Sequence, residues 1–269
     1  MNTKLLINPK QQEMLDTLHQ RLPQSLLLAG QEGIGLATIA RKLAAQNHCQ
    51  TLQPELLTKA STVKQIGIER IRDLYEQTRA KSRTPQVFII DNADAMTIAA
   101  QNSFLKLLEE PTPNTHFILT SHTPSNLLPT LRSRVQDVWF SPLTLAQSNE
   151  LVARFSLSPV KKRQITYIAQ GLPAEITRLA TDEAYFQTVS RETTLAKQCI
   201  EASSYQKLVV LQRHTLNRTE SLGLIARIIS LLERHPNAVS VVMLGRCIQA
   251  QAAIKAGGNS KLHLAWAMV

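Results

Sequence analysis

Three glycines near the start of the chain have the spacing of a phosphate-binding loop. Gly30, Gly33 and Gly35 follow the apolar stretch "SLLLA" and precede the helix-like stretch "ATIARKLAAQN". Glycines allow a tight turn that directs backbone N–H groups inward at a helix N-terminus, and such a nest binds anionic phosphate. The spacing from Gly30 to Gly35 fits G-x-x-x-x-G-K-[ST] as far as its second glycine. The first chemistry that the sequence suggests is therefore nucleotide binding.

The positions after Gly35 lack the groups that hold the phosphates in such a loop. A lysine would contact the outer phosphates and a hydroxyl would ligate magnesium, but this chain has Leu36 and Ala37. Thr38 comes one residue late and would point elsewhere on a helix. We therefore expect a degenerate loop that binds no nucleotide strongly. The alternative is that the glycines only form a strand-to-helix turn.

A second polar site follows the apolar stretch "VFII". Asp91 stands where a magnesium-facing carboxylate is expected, and the next position, which would hold the glutamate that orients the attacking water, is Asn92. An amide cannot act as a base at neutral pH. Asp91 and Asp94 have a second interpretation as caps of the following helix. We expect no bound metal.

An arginine pair, Arg132 and Arg134, lies in the stretch "LLPTLRSRV". In a chain with a net charge of +10, arginines are commonly solvated on the surface. A guanidinium at position 134 could instead reach a nucleotide held by a neighbouring subunit and stabilise charge there.

The first half of the chain alternates strand-like and helix-like segments, which predicts a parallel sheet covered by helices on both faces. The predicted strands are "SLLLAG", Val87 to Ile90, "THFILTS" and "VQDVWF". The stretch "TIAAQNSFLKLLEE" is predicted to be a helix with Ile98, Leu105 and Leu108 on one face. From about Leu143 onward we expect helices only, with breaks near Pro236 and Gly257.

Composition limits the class of protein. With 43% hydrophobic residues among 269, the chain can bury a core, and 4% aromatic residues argue against a base-stacking surface. Cys49, Cys199 and Cys247 have no metal-ligand spacing and are expected to be reduced, buried thiols. We find no signal-peptide core or membrane-spanning stretch and expect a cytoplasmic protein without membrane contact.

Taken together, these segments resemble the clamp-loader branch of the AAA+ ATPases. The resemblance is carried by "QSLLLAGQEGIG", by "VFIIDNADAMTIAAQNSFLKLLEEPTPNTHFILTSHTPSNLLPTLRSRV" and by "GLPAEITRLA". It implies an α/β AAA+ domain of the RecA-like type over residues 1–142. A helical lid over 143–182 and an all-helical collar domain for oligomerisation over 183–269 would follow.

Position by position, the resemblance implies functional roles. Gly30 to Thr38 correspond to the Walker A motif, and Asp91 and Asn92 correspond to Walker B. Ser121 or His122 corresponds to sensor 1, and Ala174 stands in the place of the sensor 2 arginine. Ser133-Arg134-Val135 correspond to the family's Ser-Arg-Cys motif. Val135 departs from the family's cysteine. Relatives also carry a four-cysteine zinc module between Walker A and Walker B, where this chain has only Cys49, so we expect no zinc.

Three catalytic places are thus empty while Arg134 is kept. The resemblance then implies a subunit without ATPase activity of its own, a stator in the ring and a component of the DNA polymerase holoenzyme. Its partners would be loader subunits of the gamma/tau and delta types, and through them the sliding clamp and primed DNA. Arg134 would act in trans as an arginine finger on ATP-Mg bound by the neighbouring subunit.

Two other classes of function remain open at this point. In an active ATPase, Lys42 or arginines would replace the missing lysine of the loop. In a DNA-binding adaptor, the basic stretches Arg79-Lys81-Arg83 and Lys161-Lys162-Arg163 would contact phosphates. Such stretches are otherwise solvated helix ends or loops.

Overall fold

The computed structural model describes residues 9–45, 48–52, 55–56, 64–79, 85–214, 216–234 and 238–269. The chain divides into two compact units, Met1–Thr177 and Arg178–Val269. Within the described residues, the helices are too short or too polar to cross a membrane. The domain boundaries at 142/143 and 182/183 stay predictions.

The first unit contains every strand in the described part of the chain and the first seven helices. The strands are β1 (Ser25–Gly30), β2 (His48–Leu52), β3 (Glu55–Leu56), β4 (Lys64–Gln65), β5 (Gln86–Ile90), β6 (Thr115–Ser121) and β7 (Gln136–Phe140). The helices are α1 (Pro9–Gln20), α2 (Leu36–Ala44), α3 (Ile68–Arg79), α4 (Ile98–Glu109), α5 (Pro129–Arg132), α6 (Leu145–Ala153) and α7 (Pro159–Ala169). Helix α8 (Pro173–Thr181) crosses the boundary between the units.

Five parallel strands form the main sheet in the order β2-β5-β6-β1-β7. The four predicted strands are all present, and β2 adds a fifth that pairs with β5. Because the strands are parallel, their carboxyl ends lie along one edge: Ile90 pairs with Leu119, Ala29 with Ser121, and Gly30 with Phe140. The loops after β1, β5 and β6 are therefore neighbours.

Apolar side chains cover both faces of this sheet, as predicted. One cluster contains Leu26, Leu28, Ile39 and Ile118 among others, and the other contains Leu27, Phe88, Phe104 and Phe117 among others. Leu26, Leu27 and Leu28 are consecutive and fully buried, because successive side chains of a strand point to opposite faces and both faces are covered.

The predicted helix is present as α4, but the face that it buries is not the one that carries Ile98, Leu105 and Leu108. Ile98 is 69% exposed, and Leu105 and Leu108 are only partly buried. The residues that α4 buries are Ala100, Gln101, Phe104 and Leu107. The buried Gln101 amide donates to the carbonyls of Met96 and Asn126 and accepts from Leu128 N–H, so a polar side chain here joins the backbone at Met96 to the segment 126–128.

The second unit is helical throughout its described residues. Its helices are α9 (Glu183–Glu201), α10 (Ser204–Arg213), α11 (Arg218–Leu232), α12 (Ala238–Lys255) and α13 (Ser260–Met268). Cys199 and Cys247 are free, buried thiols in the core of this unit, and burial raises the pKa of each to about 11. The Cys49 side chain lies outside the described residues.

Candidate functional site

The glycine loop after β1 folds as a tight turn. Gly33 and Gly35 have φ angles of 89° and 91°, in the left-handed region that favours glycine. The Ile34 amide donates to Gln31 O at 3.2 Å, and α2 begins directly after Gly35. The shape expected of a phosphate loop is therefore retained.

The residue in the place of the phosphate-binding lysine points into the protein. Leu36 is 1% exposed and belongs to the apolar cluster on one face of the sheet, together with Ile34 and Ile39. Ala37 is half-buried and Thr38 is exposed. The first turn of α2 thus packs against the core at the position where an active phosphate loop has a positively charged lysine.

The N-terminus of α8 closes on this loop. Gly33 O accepts hydrogen bonds from Ala174 N at 2.9 Å and from Glu175 N at 3.3 Å. A Cβ on Gly33 would lie 3.3 Å from Leu172, and one on Gly35 would lie 3.4 Å from the Ala174 Cβ. Helix N-termini carry unpaired N–H groups, and here the loop carbonyl satisfies two of them. Ala174, for which the resemblance implies the sensor 2 position, offers no charge to a phosphate.

Asp91 and Asn92 are held by a residue that the sequence analysis missed. The Thr120 hydroxyl, at the end of β6, donates to Asp91 Oδ1 at 2.8 Å and accepts from Asn92 N–H at 2.9 Å. Asn92 has a positive φ of 52°, so this contact stabilises a backbone conformation that few side chains adopt. The sequence signal that could have identified Thr120 is a polar residue near the end of the apolar stretch "THFILTS".

The two sensor 1 candidates both lie beside the loop. Ser121 is fully buried, and its hydroxyl has no hydrogen-bond partner in the described part of the chain. His122 Nδ1 lies 2.9 Å from Gly30 O, which is a donating distance when that nitrogen carries the proton. Neither side chain contacts Asp91 through a hydrogen bond; Thr120 does.

The interpretation of Asp91 and Asp94 as helix caps is wrong. The cap of α4 is Thr97, whose hydroxyl accepts from Ala100 N–H at 3.2 Å. Asp94 lies within a short 3-10 turn, Ala93–Ala95, and this turn also separates Asp91 from α4. This extra turn places both carboxylates too early in the chain to reach the orphan N–H groups of the helix.

Arg134 lies on the surface after α5 and is paired within the chain. Its guanidinium forms an ion pair with Glu109 at 2.8 Å and donates to Thr130 O at 2.8 Å, yet the side chain remains 38% exposed. Arg132 pairs instead with Asp137 at 3.2 Å. The two arginines of one motif therefore have different partners, and Glu109 was not singled out from the sequence.

The residues of the other two hypotheses are also placed. Lys42 lies in the last turn of α2, about 9 Å along the axis from Leu36 at 1.5 Å per residue. Lys161, Lys162 and Arg163 lie in the first two turns of α7. Lys81, Arg83 and the side chain of Arg79 lie outside the described residues.

The Thr120 contact gives a first testable prediction. Thr120→Val is expected to lower the free energy of unfolding by about 1–2 kcal/mol, because it removes one hydrogen bond to a carboxylate and one from a peptide N–H. Thr120→Ser keeps the hydroxyl and should stay closer to wild type. Urea unfolding followed by circular dichroism measures both, and equal losses in the two variants would show that the hydroxyl does not matter.

Known proteins match this sequence and fold. The sequence model of the family described as "DNA polymerase III, delta subunit" matches residues 7–144. DNA polymerase III subunit delta' of Pseudomonas aeruginosa is 30% identical in an alignment 227 positions long that covers 73% of this chain and 69% of that protein. The Haemophilus influenzae delta' subunit is 36% identical over 44% of this chain and 36% of its own length.

Among solved structures, a DNA polymerase III gamma subunit-related protein of Thermotoga maritima superposes with a TM-score of 0.58. The match has 17% identity over 94% of this chain and 97% of that chain, which supports the fold alone. The AAA+ clamp-loader type of fold that was expected from the sequence is thereby confirmed. The matched family and its relatives together place the chain in the delta-prime family of DNA polymerase III clamp-loader subunits.

Proposed function

We propose that this chain is a non-catalytic subunit of a DNA polymerase III clamp loader and that Arg134 completes the ATP site of the neighbouring subunit. The observation that carries the proposal is a contrast within one domain. The phosphate loop has the buried Leu36 where a lysine would stand and is bonded to the start of α8, whereas the Arg134 guanidinium is partly exposed to solvent. A subunit built in this way would assist hydrolysis at another site without hydrolysing ATP itself.

Three features of the loop oppose nucleotide binding. Leu36 is buried and neutral, so nothing at its position offsets phosphate charge. Asn92 replaces the residue that would activate water. The two N–H groups at the start of α8 that lie against the loop already donate to Gly33 O, so they are not free to bind phosphate. Each feature alone weakens the site, and together they remove phosphate contact, water activation and charge compensation.

Arg134 can leave its own partner at little cost. Its ion pair with Glu109 joins two side chains that are 38% and 49% exposed, and such surface pairs contribute only about 0–1 kcal/mol. The γ-phosphate of ATP carries more charge than a carboxylate and would offer the guanidinium a planar, bidentate contact. A nucleotide on a neighbouring subunit would therefore compete well with Glu109.

In the assembled loader, subunits of the gamma/tau and delta types would be the direct partners, and ATP-Mg would be bound by a neighbour. The second unit would hold this chain in the collar of the ring. The chain itself would act as a stator while the ring opens the sliding clamp and closes it on primed DNA.

Reconstitution tests this function. The chain is purified alone and together with the gamma-type and delta-type subunits of its own organism, and ATP turnover is measured with clamp and primed DNA. We expect that the isolated chain neither hydrolyses ATP nor binds it at millimolar concentrations. We expect the complex to hydrolyse ATP faster when the chain is present.

Two results would contradict the proposal. ATP hydrolysis by the isolated chain would instead indicate an active ATPase. Failure to join the complex, together with tight and strongly salt-dependent DNA binding by the isolated chain, would indicate a DNA-binding adaptor.

A further inference from the structure

Glu109 lies where a helix does not favour a carboxylate. It is the last residue of α4, and Glu110 follows it directly. The free carbonyl groups at a helix C-terminus carry a partial negative charge, so acidic side chains are unfavourable there and basic ones are favourable. The stability of α4 therefore does not explain Glu109, whereas a contact outside α4 does.

That contact is with Arg134. Glu109 Oε1 lies 2.8 Å from Arg134 Nη2, and this is the only ion pair of Glu109 within the described part of the chain. The other terminal nitrogen of the guanidinium, Nη1, donates to Thr130 O of α5 at 2.8 Å. Arg134 is thus held against its own subunit by two groups, and one of them carries a full negative charge.

Glu109 opposes a contact between Arg134 and a phosphate on a neighbouring subunit. If the ion pair persists during that contact, the carboxylate lies beside the guanidinium and weakens its attraction for phosphate oxygens. If the ion pair breaks, its free energy is lost. The two side chains are 49% and 38% exposed, so packing does not fix the pair, and it contributes little to a precise orientation of Arg134.

We infer that Glu109 holds Arg134 in a resting position and thereby slows hydrolysis of the ATP that the neighbouring subunit binds. Glu109 acts through Arg134, so it is a positioning residue and not a catalytic one. The inference rests on the proposed function and adds to it the residue that restrains the arginine finger.

The test is Glu109→Gln in the full chain, assembled with the gamma-type and delta-type subunits of its own organism. Single-turnover hydrolysis is measured over a range of ATP concentrations with clamp and primed DNA. The maximal rate is expected to rise about two- to fivefold, which is the rate equivalent of a surface ion pair. The ATP concentration that gives half of this rate should change less than about twofold, because the finger acts mainly in the transition state.

Three further variants separate this role from a structural one. Glu110→Gln makes the same change of charge at the next residue, whose exposed carboxylate forms no ion pair among the described residues, and it should match wild type. Glu109→Ala should also raise the rate, which keeps the test decisive if Glu109→Gln does not assemble. Glu109→Gln combined with Arg134→Ala should be as slow as Arg134→Ala alone, because no finger remains to be restrained.

The outcomes distinguish the inference from the proposed function. A rate for Glu109→Gln at or below that of wild type, in a complex that Arg134→Ala slows, overturns the inference and leaves the proposed function standing. A rise that persists in the Arg134→Ala background also overturns it, because the effect does not act through the finger. If Arg134→Ala hydrolyses ATP as fast as wild type, the finger role fails and the inference fails with it.

Discussion

Arg134→Ala is expected to slow ATP hydrolysis at the neighbouring site by about a thousandfold in the assembled loader, since an arginine finger contributes about 10³–10⁵ in kcat. The guanidinium would contact charge that develops on the γ-phosphate, and alanine leaves that charge without a partner. The measurement is single-turnover hydrolysis by the complete complex with clamp and primed DNA. The loss should appear in the rate and not in the affinity for ATP, because the contact acts mainly in the transition state.

Matched variants separate this role from a structural one. Arg132→Ala removes an arginine two positions earlier that pairs with Asp137, and it should leave the rate unchanged. Arg134→Lys keeps the charge but loses the bidentate geometry, so an intermediate rate is expected. Arg134→Ala should unfold within about 1 kcal/mol of wild type, because only a surface ion pair and one hydrogen bond are lost. An unchanged rate in a normally assembled complex would remove the finger role.

The strands of the sheet could be predicted because burial on two faces leaves a plain signal. Leu26 to Leu28 and Val87 to Ile90 are continuous apolar runs, which is what a strand covered by helices on both sides requires. Strand β2, "HCQTL", carries no such run, and its pairing with β5 became visible only in the structure. The buried face of α4 could not be predicted from its large apolar residues, because the small Ala100 and the polar Gln101 help to fill the interior while Ile98 is exposed.

The candidate site could be predicted in its parts but not in its assembly. Gly30, Gly35 and Asp91 were identified because chain spacing alone defines their motifs. The contacts from Thr120 to Asp91 and from Ala174 to Gly33 join residues far apart in sequence, and no local pattern encodes them. The pairing of Arg134 with Glu109 is of the same kind. The spacing of residues along the chain thus predicts which catalytic groups are missing, and only the folded structure shows which contacts the remaining residues make.

Leu36→Lys, which restores the lysine of the phosphate loop, is expected to destabilise the protein and not to restore ATP binding. Leu36 is 1% exposed and packs in the core cluster with Ile34 and Ile39. Truncating a buried leucine destabilises a protein by about 2–5 kcal/mol, and an unpaired ammonium group in the same place adds a desolvation penalty. We expect a loss of about 3 kcal/mol or more in the free energy of unfolding at neutral pH. The loss should shrink at strongly alkaline pH, where lysine is neutral in both the folded and the unfolded state.

Thr38→Lys is the matched control, because it introduces the same side chain two positions later at an exposed site of α2. It should change the free energy of unfolding by no more than about 0.5 kcal/mol. Urea unfolding gives the stabilities, and isothermal titration with ATP-Mg tests binding by each variant. A stable Leu36→Lys variant that binds ATP would mean that the loop is one substitution away from a working site. The expected result implies instead that the loop has a structural role. Leu36 packs in the core, and Gly33 O accepts hydrogen bonds from the start of α8. Both contacts oppose phosphate binding by the loop.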